Sequence, residues 1–379
     1  MANNLKVYYL PIVPFYNNVA LPTIVGSLPF LRHIFTKEHI QIVHGHSAFS
    51  TLAHEALFVA SLLGLGTVFT DHSLFGFADA SAIVTNTILK HTMANTDHCI
   101  CVSHTGKENT VLRSGVKKGH VSVIPNAVDC DIFQPQLKNN ALINTNQPRE
   151  RVIVVIGSRL VYRKGIDLVA PILPMLCQRN FNGVRVDFVI GGDGPKRIVI
   201  EETIEHYGLQ SRVQMLGELC HSDVRDKLLI KGDIFLNTSL TEAFCMAILE
   251  AVACGLTVVS TKVGGIPEVL PERYIHFVEP TVDSIEAGLV KAVKEVIANR
   301  QPSKEECHSF VKKTYNWRNV ASRTEVVYDS IMERQKIEAK PLRKRVRNHW
   351  ECGRLAGPLM AIFYLFCHYW IIVLNFFDQ

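Results

Sequence analysis

Arg151–Asp167 reads RVIVVIGSRLVYRKGID. A mostly apolar, β-branched run ends in a Gly-Ser turn, and two cations, Arg159 and Lys164, then bracket a loop that leads into a helix at about Ile166. A continuous apolar strand followed by a polar loop and a helix is the repeating unit of a parallel sheet covered on both faces. Five further strand candidates follow at helix-sized intervals: VRVDFVIGG, RVQMLGE, IFLNTS, LTVVSTK and IHFVEP. Six such strands predict a doubly wound α/β domain. Its polar and glycine-rich residues fall where strands end: Arg159 and Lys164, then Gly191-Gly192-Asp193-Gly194, Gly217, Glu242 and Gly264-Gly265. Ligands bind beyond the carboxyl ends of strands in such sheets, so that edge is the expected site.

Upstream, between Lys6 and Val123, the strand candidates QIVHGHS, GTVFTDHS, HCICVS and VSVIPN alternate with helical stretches and predict a second parallel sheet. The asparagine-rich segment LKNNALINTNQPRE, Leu137–Glu150, breaks the rhythm and reads as a linker. The expected organisation is a partial Rossmann-like domain over 1–136, the linker 137–150 and a second Rossmann-like domain over 151–305. A helical segment over 306–339, a basic segment over 340–354 and a membrane helix over 355–377 complete it.

With 379 residues, 47% hydrophobic and 20% charged, the chain can bury a large core. Ten cysteines include no CxxC pair, which argues for a reducing compartment and against a zinc site or a disulfide framework. The net charge of +5 is unevenly placed: Lys340, Arg343, Lys344, Arg345, Arg347 and Arg354 share their segment with one acid, Glu351. Leu355–Phe377, LAGPLMAIFYLFCHYWIIVLNFF, follows with no Asp, Glu, Lys or Arg. As a helix it extends roughly 34 Å, enough to cross a bilayer core. The basic cluster before it is expected to stay in the cytosol, with the globular part. Because that cluster abuts the apolar run and covers no domain face, nucleic acid is not an expected partner. The N-terminus carries no charged-then-apolar leader pattern.

Thr238–Gly255, TSLTEAFCMAILEAVACG, places Glu242 and Glu250 in apolar surroundings. Ser239-Leu240-Thr241-Glu242 fits the S/T-x-x-E capping box of a helix beginning near Ala243. Glu250 lies inside that helix and requires a partner. Arg159 and Lys164 around a helix N-terminus suit a diphosphate, since a guanidinium fork and an ammonium neutralise the charge of a leaving phosphate. The two glutamates, roughly 12 Å apart along a helix axis, would span a sugar and a ribose. The P-loop motif GxxxxGK[ST] does not occur, and GGDGPK is not GxGxxG.

Arg159, Lys164 and EAFCMAILE, with IPNAVD (Ile124–Asp129) and VGGIPEV (Val263–Val269), resemble the retaining glycosyltransferases of the glycogen-synthase type. Their architecture is GT-B, two Rossmann-like domains. TDHSLFGFADAS, SRLVYRKGID, FLNTSLTEAFCMAI and VVSTKVGGIPEVLPE are closer still to the catalytic subunits of phosphatidylinositol N-acetylglucosaminyltransferase. These start glycosylphosphatidylinositol (GPI) anchor synthesis on the cytosolic face of the endoplasmic reticulum. The resemblance implies UDP-GlcNAc as donor, phosphatidylinositol as acceptor, retention of configuration, other subunits as partners and a single-pass endoplasmic reticulum membrane protein. It puts Arg159 and Lys164 on the diphosphate, Glu250 on the ribose and Glu242 on the sugar hydroxyls, with the backbone of Phe244, Cys245 and Met246 adding donors. His72 falls at the sugar and reacting centre, and Asn126 matches a cleft asparagine. His44, His46 and His54 read as structural. Asp129-Cys130-Asp131 has D-x-D spacing but belongs to the PNAVD loop, so no metal or other cofactor is expected.

Family members begin with a strand, a glycine-rich loop and a helix. This chain opens with MANNLKVYYLPIVPFYNNVALPT, which resembles the third strand of that domain and its connection. Roughly 60 residues, two βα units, are then expected to be missing. Two alternatives stay open: another membrane-bound retaining transferase with a lipid acceptor, and a non-catalytic form that keeps complex-forming surfaces.

Overall fold

A computed structural model describes residues 5–12, 14–16, 19–20, 24–74, 80–136, 149–337 and 340–377. The chain divides into two compact units, one of residues 1–124 and 321–379 and the other of Pro125–Val320. Most of the expected linker lies outside the described residues.

The first unit opens with a short antiparallel pair, β1 (Pro14–Tyr16) and β2 (Val19–Ala20). The opening residues were expected to form a strand of the parallel sheet; among the described ones Leu5 takes part in a β-bridge, and Pro14–Tyr16 pairs with Val19–Ala20. Helix α1 (Ile24–Lys37) follows. The parallel sheet then runs in chain order through β3 (Ile42–His46), β4 (Gly66–Asp71), β5 (His98–Cys101) and β6 (Val121–Val123). Helices α2 (Thr51–Leu63), α3 (Ala80–Met93) and α4 (His104–Ser114) connect them. Local chemistry sets the helix limits: Ser50 accepts from the Ala53 amide at 3.2 Å to start α2, and Gly64 ends it at φ 76°. Every residue of β4 and β5 is buried, as in strands covered on both faces.

The second unit carries six parallel strands: β7 (Arg151–Gly157), β8 (Arg185–Gly191), β9 (Val213–Gly217), β10 (Ile234–Asn237), β11 (Thr257–Thr261) and β12 (Ile275–Val278). They lie side by side in the order β9-β8-β7-β10-β11-β12, the doubly wound arrangement that reverses between β7 and β10. Helices α5 (Ile166–Cys177), α6 (Arg197–His206), α7 (His221–Lys227), α8 (Met246–Ala253), α9 (Val282–Ile297) and α10 (Lys304–Thr314) complete it. Val152, Val154, Val186, Phe188, Ile234 and Leu236 pack with Ile172, Leu173, Leu289 and Val293 into one core.

Helix α11 (Trp317–Ile337) contains the second boundary between units, after Val320. Two more helices belong to the first unit: the basic α12 (Leu342–Trp350) and the apolar α13 (Ala356–Phe377). With a mean hydropathy of 1.9, α13 is long and apolar enough to cross a membrane. One face of α13 is nevertheless buried: Tyr364, Cys367 and Ile371 pack on Leu28, Leu31, Phe58, Val59 and Leu62 of α1 and α2. Arg32 donates to Asn375 at 2.7 Å, and Tyr364 shares a hydrogen bond with Ser61 at 3.2 Å. Leu359, Ile362, Phe366, Tyr369 and Phe376 form an exposed apolar face.

Candidate active site

At the reversal between β7 and β10, the loops leaving three strands lock together through their backbones. Ser158 donates to Gly191 O at 3.1 Å, Leu160 to Asp193 O at 2.8 Å, and Lys196 to Leu160 O at 2.9 Å. Gly192, at φ 130°, lies where a Cβ would stand 1.9 Å from Ser158 O, so only glycine lets the two loops close. The GGDG run is therefore a packing device in this sheet. Gly165, at φ 68°, plays the same part on the other side, where a Cβ would meet Thr238 O at 1.9 Å. Thr238 Oγ1 donates to Lys164 O at 2.8 Å and Leu240 N to Arg163 O at 2.9 Å, joining the loop after β7 to the loop after β10.

These loops carry the predicted residues. Lys164 Nζ is hydrogen-bonded and ion-paired to Glu242 Oε1, which also lies 3.0 Å from Ser239 Oγ. Ser239 is fully buried, with Asn237 Oδ1 2.9 Å from its hydroxyl and its carbonyl accepting from Thr261 at 2.6 Å. Arg159 is exposed, and its guanidinium makes no hydrogen bond or ion pair among the described residues. It lines a cleft of about 620 Å³ with Gly192, Glu218, Ala247 and Glu250. Glu250 is only 9% exposed, and the partner it requires is His221 of α7, whose Nε2 lies 3.0 Å from Oε1.

Two expectations are corrected here. Ser239 and Glu242 do not form a capping box: α8 begins at Met246, its N-cap is Cys245 at φ 68°, and no side chain caps it. The Ser239 hydroxyl bonds side chains, because the chain makes another turn through Ala243-Phe244-Cys245 before entering the helix. Glu242 therefore precedes α8, and the 12 Å helical spacing to Glu250 does not apply. The two carboxylates come from different structural settings, a loop held by Lys164 and a helix held by His221. Phe244 and Cys245 are buried at the start of α8 beside half-buried Met246. Burial, then the charge of Glu242, pushes the Cys245 thiol up to about 12, which leaves it an inert thiol.

Asn126 lies half-buried at the start of the second unit and does not line the cleft. Asp129 is committed to a turn, accepting from the amides of Asp131 at 3.0 Å and Ile132 at 3.3 Å, while Asp131 pairs with Lys312 at 3.1 Å. Among the described residues no cluster of His, Cys, Asp and Glu is arranged to hold a metal.

In the first unit, His72 follows β4 at its carboxyl end. The preceding Asp71 is buried and paired with the fully buried Arg113 at 2.5 Å and with Thr110 at 2.8 Å. Asp71 Oδ1 also accepts from the Ser73 amide at 3.0 Å, fixing the backbone on both sides of His72. His72 Nε2 lies 3.1 Å from His46 Nδ1. His44 and His54 hold internal partners: Tyr328 and Thr70 for the first, Thr92 and Ala48 O for the second. Sequence reasoning missed His221, Arg113 and the contact of His46, and read Ser239 only as a helix cap. Only the alternation H-x-H on β3, which puts two imidazoles on one sheet face, was a visible signal.

The family model described as PIGA (GPI anchor biosynthesis) matches residues 1–79, and that of glycosyl transferases group 1 matches residues 139–317. One human subunit of phosphatidylinositol N-acetylglucosaminyltransferase is 49% identical over 99% of this chain and 75% of its own length. The chain belongs to this family. The subunit of the same name from Arabidopsis thaliana is 48% identical over 96% of the chain and 77% of its own length. Among solved structures, the sucrose-phosphate synthase of Thermosynechococcus elongatus superposes with a TM-score of 0.66 at 20% identity, covering 87% of each chain. An Anabaena protein, HepE, solved with UDP and glucose, gives a TM-score of 0.64 at 18% identity over 81% of this chain and 83% of its own. These neighbours establish the GT-B fold.

Proposed function

We propose that the chain transfers N-acetylglucosamine from UDP-GlcNAc to the inositol of phosphatidylinositol, with retention at the anomeric carbon. The observation that carries this reading is the convergence, at the sheet reversal, of Arg159, whose guanidinium is unpaired among the described residues, and a buried Glu250 in one cleft beside the Lys164–Glu242 pair. It occurs in a chain 49% identical to a relative named for that transfer. The guanidinium of Arg159 binds the diphosphate, and Lys164, with three N–H donors of which Glu242 takes one, keeps donors for phosphate oxygens. Glu250 keeps Oε2 for the ribose hydroxyls while His221 holds Oε1. Glu242 accepts from the sugar hydroxyls, the amides before α8 add donors, and His72 acts at the sugar.

In the reaction the bond from the anomeric carbon to the diphosphate oxygen breaks, and the inositol oxygen bonds to the same face. The hydroxyl proton passes to the departing phosphate, whose growing charge Arg159 and Lys164 neutralise. Preorganised cations and orientation supply the rate. With this charge already present, the transfer needs no metal. The protein works at the endoplasmic reticulum membrane as one subunit of a complex, α13 providing a single crossing and both units lying in the cytosol. Membranes from cells lacking the endogenous enzyme, supplied with this chain and its partner subunits, should label phosphatidylinositol from UDP-GlcNAc and not from GDP-mannose. Labelling from GDP-mannose instead would overturn the substrate assignment.

A further inference from the structure

The imidazole of His72 does not stand alone. Strands β3 and β4 pair in parallel, with His46 opposite Thr70. His72, two residues beyond Thr70, is therefore the diagonal neighbour of His46 on the same face. Their rings stack with centroids 5.4 Å apart at 16°, and Nδ1 of His46 faces Nε2 of His72 at 3.1 Å. Behind His46, His44 stacks at 4.3 Å and 24°. That ring is clamped at both nitrogens, by Tyr328 OH at 2.7 Å and Thr70 Oγ1 at 2.6 Å. The backbone is fixed as well. Ser47 takes φ 74° and donates to Thr70 O at 3.0 Å, while Gly45 has no side chain to push Leu57 away from the strand. A non-glycine residue held in the left-handed region beside a row of stacked imidazoles is strain the surroundings must impose.

We infer that His46 is a positioning residue for His72, fixing both the plane of its ring and which of its nitrogens carries the proton. The inference rests on the reading of His72 as a residue of the reaction centre. One proton lies between the facing nitrogens. When His46 donates it, His72 Nδ1 carries hydrogen and is a donor; when His46 accepts, His72 Nδ1 is an acceptor. The orienting group thus sets the hydrogen-bonding character that His72 offers a sugar hydroxyl. The titratable and charged groups around this pair are His44 on β3, Asp71 with its partner Arg113, His54 on α2 and Tyr328 on α11. Burial lowers the pKa of His72 first, a neighbouring positive His46 second, and Asp71 opposes both.

The test uses the full chain with its partner subunits in cells lacking the endogenous enzyme, comparing His46→Ala, His46→Asn, His72→Ala and the double alanine variant. His46→Ala should lower kcat roughly ten- to a hundredfold, the scale of a misplaced reacting group, and change KM for UDP-GlcNAc less than about threefold. The asparagine amide reaches about the place of Nδ1 and should restore most of the rate. Both His46 variants should move the acid limb of the pH–rate profile to higher pH, because the charge that lowers the His72 pKa is gone. The double variant should be no slower than His72→Ala. Normal kcat and an unmoved pH profile in both His46 variants would overturn the role of His46, as would additive losses in the double variant. Full activity of His72→Ala would instead remove the reading on which the role rests.

Discussion

Arg159 and Lys164 bracket one loop, but the structure gives them different neighbours, so their removal should differ. Arg159→Ala should slow transfer by a factor corresponding to roughly 2–4 kcal/mol, the scale of a lost transition-state donor, and leave thermal stability unchanged. Lys164→Ala should lose comparable rate and also stability, because Glu242 would be left a largely buried carboxylate without its cation. Steady-state transfer together with a thermal melt separates the two. Gly192→Ala should destabilise the second unit by more than the roughly 1–3 kcal/mol of a strained residue, since the new methyl would also overlap Ser158 O. Wild-type melting of that variant would contradict the locked-loop geometry. Both cations, Glu242 and the glycine run were legible in the sequence as residue types at strand ends, and Glu250 as a lone carboxylate inside an apolar helix. The His221 partner of Glu250 was not, since no spacing rule links residues 29 apart across a β-strand.

At the scale of elements, β4 is held at its carboxyl end by a charge pair between a strand and a helix. Arg113→Met keeps the volume and leaves Asp71 buried without its cation, which should cost roughly 3–5 kcal/mol and loosen the segment that carries His72. Hydrogen exchange at β4 and α4 would reveal it, and unchanged protection would show the pair to be dispensable. Helix α13 was legible from length and hydropathy, and its seat on α1 and α2 was not. If α13 crosses a bilayer while α1 and α2 stay in water, the crossing exchanges Tyr364–Ser61 and Arg32–Asn375 for lipid. Removing Leu355–Gln379 should release the protein from membranes in mild salt. A tag after Gln379 should be protected from protease in sealed microsomes; digestion of the tag would mean that α13 stays side-on against the first unit.

Over the whole molecule, buried histidines give the two units unequal responses to acid. Burial lowers His44 to about 3 and His98 and His349 to about 4, and all three lie in the first unit. A histidine with a depressed folded pKa takes up protons more readily when unfolded. Its contribution is therefore complete above pH 6.5 and is lost as the pH falls toward 4 and 3. Between those limits the first unit should lose roughly a few kcal/mol, and limited proteolysis on acidification should cut it before the second. UDP should protect the second unit alone, adding about 2.7 kcal/mol at a hundred times its dissociation constant. Protection confined to the loops after β7, β8 and β10 and to α8 is the expected exchange pattern.

The sequence by itself determined the parallel strands, their doubly wound type and the edge at which their polar loops gather. Hydrophobic runs of strand length, punctuated by glycine and charge, are local signals that survive without contacts. It also singled out Arg159, Lys164, Glu242 and Glu250 as candidates, because their chemistry belongs to the residue. Tertiary structure alone decided who holds whom. It gave Lys164 to Glu242, His221 to Glu250 and His46 to His72, moved the start of α8 past Cys245, and laid one face of α13 on α1 and α2. Those outcomes depend on distances between segments far apart in the chain, which packing sets and no local pattern encodes.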